Sequence, residues 1–384
     1  KLDISFNSST LKASDIVYDL ETREFSINAQ SKQIDPADIA LFSPRLAHLN
    51  KPFSLDADLK GKLPQADINN LLVKYGNDTK IDLKGKIEDY TQYGDAAVSL
   101  DLKEFRISQS DLDAFIKIGG TGTQLPDQVR ALGSLDMKLT ANGSLKRLNL
   151  NGQLKTDPGV VRISGLGAID TTFSNFSFDG RLITNNLNTA QILGENVGLD
   201  LVSATINAKV VQRSNQPITV DADGNLASLV YNDSNFKDIN FSGLYSGNNI
   251  EADISTNTSD NKFDLHAKMI SGDGMDISVQ GVIDKLLLEP FYTKENWVNA
   301  ELTARIDGHF TGSGIDDLVG NLVVDSTSLS EESFIYNPGA IYVQSEVEEN
   351  EKTIRFYSSV LEAEIKGDYY FSTIAQEFTQ LLQQ

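Results

Sequence analysis

Apolar and polar residues alternate strictly along most of this chain, and that pattern restricts it to half-buried β-sheet. In "AELTARIDGHF", Ala300, Leu302, Ala304, Ile306 and Phe310 alternate with Glu301, Thr303, Arg305, Asp307 and His309. The same period recurs in Leu55, Ala57 and Leu59, in Ile81, Leu83 and Ile87, in Leu135, Met137 and Leu139, and in Leu148, Leu150 and Leu154. It continues in Ile250, Ala252 and Ile254, in Phe263, Leu265, Ala267 and Met269, and in Ile277, Val279 and Ile283. A period of two gives each strand one wet face and one dry face. The strands of a doubly wound parallel sheet, buried on both faces, would instead read as unbroken apolar runs.

Short turn signals separate these runs: "YGND" at 75–78, "ANGS" at 141–144, "DPG" at 157–159, "YNDS" at 231–234, "SGNN" at 246–249 and "SGDG" at 271–274. Turns this short predict antiparallel hairpins; with roughly eighteen strands side by side, at about 4.8 Å each, an open sheet would be far too wide for a few short helices to cover. Glycine also falls inside the strands, at Gly85, Gly152, Gly180, Gly281, Gly308 and Gly320, each closely followed by an apolar residue. Bulges or bends that let a sheet coil account for such glycines. Small residues that leave room for a ligand are the alternative.

Helices are few. "FSINAQSKQIDPADIALFSP", "FRISQSDLDAFIKIGG" and "GRLITNNLNTAQILGE" each run a strand into a short amphipathic helix, with Asp35, Ser110 and Asn188 as N-caps and Pro36 at a first helical position. Their anchors Ile34, Leu112 and Leu187 are spaced by 78 and 75 residues, a repeat period. The chain thus reads as one continuous β-repeat array over 1–384, with approximate units 1–52, 53–131, 132–197, 198–297 and 298–384. Phe371, Ile374, Phe378, Leu381 and Leu382 predict a last amphipathic helix. The array reads as a piece of a longer protein, with an anchor or export signal expected upstream.

Charge narrows the partners. With 54 acidic against 33 basic residues, a net charge of -21 repels nucleic acid and disfavours docking on anionic headgroups through a polybasic patch. No cysteine is present, which excludes disulfides and thiolate metal sites. No apolar run approaches the length of a membrane-spanning helix.

Searching for chemistry gives a mostly negative result. His48, His266 and His309 have no second ligand at metal-binding spacing, so they read as surface or packing residues. No nucleophile elbow, Walker loop, zincin motif or dinucleotide fingerprint is present. "TGSGIDDLV" at 311–319 looks like a single calcium-binding nonapeptide, a motif that works by stacking in tandem, and here it stands alone. "GGTGTQ" at 119–124 lacks the lysine of a phosphate loop and reads as a connection. The acidic run with Glu346, Glu348, Glu349 and Glu351 reads as an exposed hairpin tip. No enzyme activity, metal or cofactor is expected.

What remains is the apolar face. It must meet a second sheet, its own sheet curled over, or a ligand, because each Å² left in water forfeits about 25 cal/mol. The patterns "GSLKRLNLNGQL", "GSGIDDLVGNLVV" and "NNLLVKYGNDTKIDLKGKI", with strands that enter short helices, resemble the AsmA-like and TamB-like proteins of Gram-negative envelopes. The Asn/Asp-rich, Cys-free style is most similar to the versions in Bacteroidetes. The resemblance covers most of the chain. It implies a mainly β fold, an elongated antiparallel array curled into a taco-like trough that is apolar inside and polar outside. It also implies a periplasmic location, with an inner-membrane anchor outside this chain.

The function so implied is transport of phospholipid between inner and outer membranes, or support of outer-membrane protein assembly with a barrel partner and inner-membrane components. Phospholipid acyl chains would lie against Leu55, Leu59, Leu83, Leu135, Leu139, Leu148, Leu150, Leu302 and Ile306. Three other classes would also alternate. A cell-surface β-sandwich binding or adhesion module should divide into units of about 100 residues joined by linkers. A parallel β-helix carbohydrate enzyme needs a catalytic cluster, and an outer-membrane barrel needs aromatic girdles.

Overall fold

The computed structural model describes residues 2–6, 8–40, 49–89, 94–118, 127–170, 174–194, 197–291, 299–331, 334–348, 351–367 and 370. All its strands belong to one 22-stranded antiparallel meander, in which each strand pairs with its neighbours in sequence. The meander has four more strands than the roughly eighteen expected. A single hydrogen-bonded sheet holds every described strand. The chain divides into two compact units, Lys1–Ser203 with Val211–Ser214, and Ala204–Val210 with Asn215–Gln384.

The first unit contains β1 (Leu2–Phe6), β2 (Ser9–Tyr18), β3 (Glu24–Ile34), helix α1 (Pro36–Ala40), β4 (Phe53–Lys62), β5 (Ala66–Tyr75), β6 (Thr79–Glu88) and β7 (Ala97–Ile107). After helices α2 (Gln109–Ile118) and α3 (Asp127–Arg130) come β8 (Leu135–Ser144), β9 (Arg147–Lys155), β10 (Val160–Ile169), β11 (Phe176–Asn188) and α4 (Thr189–Leu193). Strand β12 (Leu199–Gln212) is cut by the unit boundary.

The second unit holds β13 (Thr219–Tyr231), β14 (Ser234–Ser246), β15 (Asn249–Asn257), β16 (Lys262–Ser271), β17 (Met275–Leu287), β18 (Glu301–Gly312), β19 (Val319–Glu331), β20 (Phe334–Glu348), β21 (Glu351–Tyr357) and β22 (Glu362–Gly367). Single 3-10 turns occur at Glu289–Phe291 and Ile315–Asp317. No described helix is long and apolar enough to cross a membrane.

Turn chemistry sets the hairpins. Asn232 and Asp233, both at positive φ (44° and 64°), form the two-residue loop between β13 and β14, the conformation of a type I′ turn, whose twist matches that of the strands. The "YGND", "DPG", "SGNN" and "SGDG" signals likewise fall between strands. "ANGS" does not: β8 runs through it to Ser144, and the turn is made by Leu145 and Lys146.

In the first unit, helices follow β3, β7 and β11, every fourth strand. This explains the repeat of Ile34, Leu112 and Leu187. Odd-numbered strands all run the same way in a meander, so α1, α2, α3 and α4 emerge at one end of the sheet. Asp35 caps α1 by accepting from Ala37 N at 2.9 Å, and Asn188 caps α4 by accepting from Gln191 N at 3.0 Å. The cap of α2 is Ser108 rather than Ser110: Ser108 O accepts from Leu112 N at 2.9 Å, and its Oγ accepts from Asp111 N at 3.3 Å.

The strongly curled trough expected from the resemblance is not what the strands build. In neither unit does the sheet close or curl strongly. Bulges do interrupt the ladders, among them one between Ile68 and Leu71 beside Gly85 and one between Leu102 and Phe105, but the other in-strand glycines are not where they fall. Register runs unbroken through Gly152, Gly180, Gly281, Gly308 and Gly320. Nor do these glycines leave vacant room, because large neighbours lie over them. A Cβ on Gly281 would fall 2.5 Å from Leu265 Cδ2, and one on Gly308 would fall 2.9 Å from Leu322 Cδ1 and 3.0 Å from Val279 Cγ1.

Full burial is sparse. Ala57, Ala141, Ala304 and Gly308 are hidden because taller neighbours shade them, and the larger buried side chains lie mainly near strand ends. At the helical end of β4–β7, Tyr75 is 1 % exposed and packs against Phe53 and, edge-on, against Phe115 of α2, with ring centroids 4.9 and 5.2 Å away. Below it, Asp111 of α2 accepts from Lys51 Nζ at 2.7 Å and from Thr79 Oγ1 at 2.7 Å. The second unit has a similar plug, where Phe291 of the 3-10 turn meets Tyr231 at 5.4 Å and Phe236 at 6.1 Å.

Candidate functional site

Residues paired across antiparallel strands point to the same face, so the register traces each face without gaps. In the first unit, Leu71, Leu83, Leu102, Leu139 and Gly152 form one continuous row across β5 to β9. The next row runs Ile68, Gly85, Leu100, Ala141, Leu150, Gly165 and Gly180. Leu55 pairs with Val73, Leu59 with Ile68, Leu135 with Ile107, and Leu148 with Gly143 and Gly167. All seven leucines singled out in this unit therefore share one apolar face. Leu302 and Ile306 lie on the apolar face of the second unit, opposite Leu286 and Gly281 on one side and Leu329 and Val324 on the other.

Every one of the nine is half-buried. Such half-burial fits a sheet face with no second layer of described strands upon it. The apolar face is also open in a stretch without any of the nine. There Tyr245, Ile250 and Ile254 are 39 %, 39 % and 41 % exposed, flanking Gly243, Ala252 and Ala267. The alternation had already assigned Ile250, Ala252 and Ile254 to one strand face. What it could not supply was their exposure, which depends on the small residues across the strands.

The opposite face is polar and laced by cross-strand bonds. Asn207 donates to Asp223 at 2.9 Å, Asn225 to Asn240 at 3.0 Å and Gln280 to Asp307 at 3.2 Å. Arg355 bridges Glu346 at 2.6 Å and Glu364 at 2.9 Å. Lys80 Nζ lies 2.6 Å from Glu104, and that hydrogen bond holds the Glu104 carboxyl below the usual carboxylate range. Such pairs keep this face in water; exposed pairs of this kind contribute little stability singly.

No catalytic arrangement emerges among the described residues. His266 Nδ1 lies 2.8 Å from Asp253 Oδ1, and Ser242 Oγ donates to Asp253 Oδ2 at 3.0 Å. Asp253 thus sits between Ser242 and His266, whereas an activated serine needs the histidine in the middle. The hydrogen bonds from His266 and Ser242 lower the Asp253 pKa. His309 sits 3.1 Å from Asp276 on the same polar face.

No described cluster can hold a metal ion. In the nonapeptide-like stretch, Lys352 Nζ lies 3.2 Å from Asp317 and donates to the Asp316 carbonyl at 2.7 Å, so a lysine holds the acidic turn where a cation would sit. Bonds from Ser313 and Lys352 lower the Asp317 pKa. Glu346, Glu348 and Glu351 flank the β20–β21 hairpin connection, as the acidic run suggested. His48, Glu349, the 119–124 loop and the helix expected from Phe371 onward lie outside the described residues. Comparison of the chain with protein-family models, curated proteins and solved structures found no match.

Proposed function

We propose that this chain is a non-enzymatic segment of a Gram-negative cell envelope that shields phospholipid acyl chains on the apolar face of its sheet. One observation carries the reading: the apolar face is continuous by register through β4–β11 and again through β13–β21, and its large side chains stay half-exposed. Burying each CH2 is worth about 0.8 kcal/mol, so an aliphatic surface holds an acyl chain without polar recognition. Successive rows are chemically alike, and movement from one to the next is therefore nearly level in free energy. Direction then comes from partners at the ends. An open sheet suits this task, because a chain can be laid on and lifted off from the side while its headgroup stays in water.

The AsmA-like and TamB-like resemblance supports a place in the periplasm, an inner-membrane anchor outside this chain and an outer-membrane barrel as partner. The high negative charge keeps such a surface soluble. A second use is strand templating during outer-membrane protein assembly, favoured by the sheet edges: among the described strands β1 pairs only with β2, and β22 only with β21.

The test is organic extraction of the chain purified from a Gram-negative periplasm, beside Leu150→Glu and the polar-face control Asn151→Glu. Phospholipid should be recovered from the wild type and the control, and several-fold less from Leu150→Glu with an unchanged circular dichroism spectrum. Equal recovery from all three, or from none, contradicts the reading.

A further inference from the structure

We infer that the polar face of the first unit carries an anion site for a compact, soluble phosphoryl ligand, held by Lys103, Lys138 and Arg162. These three side chains rim a shallow depression of about 470 Å³ over β7–β10, whose floor and sides include Thr140, Asn151 and Gln153. The site is independent of the apolar face, which lies on the other side of the same strands.

The local sequence and register place the charges. Leu102 pairs with Leu139 and Phe105 with Met137, so the shift between them sets Lys103 and Glu104 together against Lys138. Glu104 is taken by Lys80 and Arg106. Lys138, which acts on Glu104 only at longer range, is left facing Lys103. Like charges opposite one another across strands are destabilising. Two strands on, Gln153 separates Lys138 from Arg162, and Arg181 lies diagonally beyond, opposite Ser164.

Among the described residues, none of Lys103, Lys138, Arg162 and Arg181 forms a salt bridge or side-chain hydrogen bond, in a chain where acids outnumber bases by 54 to 33. One carboxylate, Asp101, shares the depression, and the register sets it against Lys84 on β6. Many described cations of this chain form no ion pair; what sets these apart is their grouping around one depression, with Lys103 and Lys138 set against each other and Arg162 two strands on, an arrangement that favours an anion from outside. The amides of Asn151 and Gln153 and the hydroxyl of Thr140 add neutral hydrogen-bonding groups suited to phosphoryl oxygens.

Range decides the size of the ligand. The Debye length near physiological salt is about 8 Å, so the local cations govern an anion seated among them. A long polyanion would leave this patch and enter the negative field of the rest of the surface. A lipid is disfavoured too, since the exposed apolar side chains beside Arg162 on this face, Val160 and Leu166 of β10, are separated by Arg162 and Ser164 and form no continuous cover for acyl chains.

Titration calorimetry with pyrophosphate tests this directly on the purified chain. Lys103→Gln and Lys138→Gln should each weaken binding about 10-fold, the effect of one lost charge-assisted contact, and the double variant should abolish it. Lys237→Gln, which removes one positive charge in the other unit, should leave it unchanged. The variants should melt no lower than the wild type without ligand, because a repulsive pair has been removed. Tight binding of short-chain phosphatidic acid but not of pyrophosphate would overturn the soluble-ligand assignment. No binding of either, or equal binding by the variants and the wild type, would overturn the site.

Discussion

Replacing Asp111 with alanine should lower the unfolding free energy by about 2–4 kcal/mol. Asp111 is 2 % exposed, in a helix that closes the end of β4–β7. Its carboxylate is the acceptor for Lys51 Nζ and Thr79 Oγ1, both at 2.7 Å. That bond to Asp111 is also the main reason the Lys51 pKa is raised. Removing the acid leaves the Thr79 hydroxyl buried without its acceptor and Lys51 with only the exposed Asp78, at 3.3 Å.

Lys51 is itself partly open, which places the expected loss below that of a fully buried pair. Tyr75 falls under the same influence, because its hydroxyl accepts from the backbone N–H groups of Asn50 and Lys51. In urea, the midpoint should drop with an unchanged slope. A loss below about 0.5 kcal/mol, the level of an ordinary surface change, would mean that the latch does not hold α2 in place.

Gly165→Val should cost about 2–3 kcal/mol by overpacking. Gly165 pairs with Gly180 across β10 and β11, and a Cβ there would fall 2.5 Å from both Gly180 Cα and Asp179 O. Backbone atoms cannot swing aside as a flexible side chain can, so the strands must part. Gly314, by contrast, has extended backbone (φ -169°), and a Cβ added there would meet nothing within 4 Å. Gly314→Ala should therefore change stability by no more than about 0.5 kcal/mol. Comparable urea midpoints for the two variants would show that the glycine pair does not set the approach of the strands.

These two sites illustrate what the sequence could and could not reveal. Alternation gave the sheet and its two faces because a period of two survives any antiparallel register, and hence Leu83, Leu139 and Leu150 fall on one face as read. The repeat of Ile34, Leu112 and Leu187 was legible for the same reason, as every fourth strand feeds a helix. Curvature was not legible. A glycine in a strand reads the same whether it kinks the backbone or lies beneath Leu265 or Leu322, and only cross-strand register distinguishes the two.

Register likewise hid the Lys51–Asp111–Thr79 latch, whose members are 60 and 32 residues apart. It also hid the approach of Lys103 to Lys138, which depends on an extra residue in β7 that composition cannot show. Local pattern misled in "ANGS", where Gly143 at φ 132° is accommodated inside β8 instead of making the turn.

The central claim is that the apolar face, and only that face, receives acyl chains. The chain has no cysteine, so single cysteines can report one face at a time. Leu150→Cys and Asn151→Cys, adjacent on β9 but on opposite faces, would each be labelled with an environment-sensitive fluorophore and titrated with a short-chain phosphatidylcholine below its micelle concentration. The account predicts a saturable blue shift at position 150 and none at position 151. Equal responses at both positions, or no response at position 150, would contradict it.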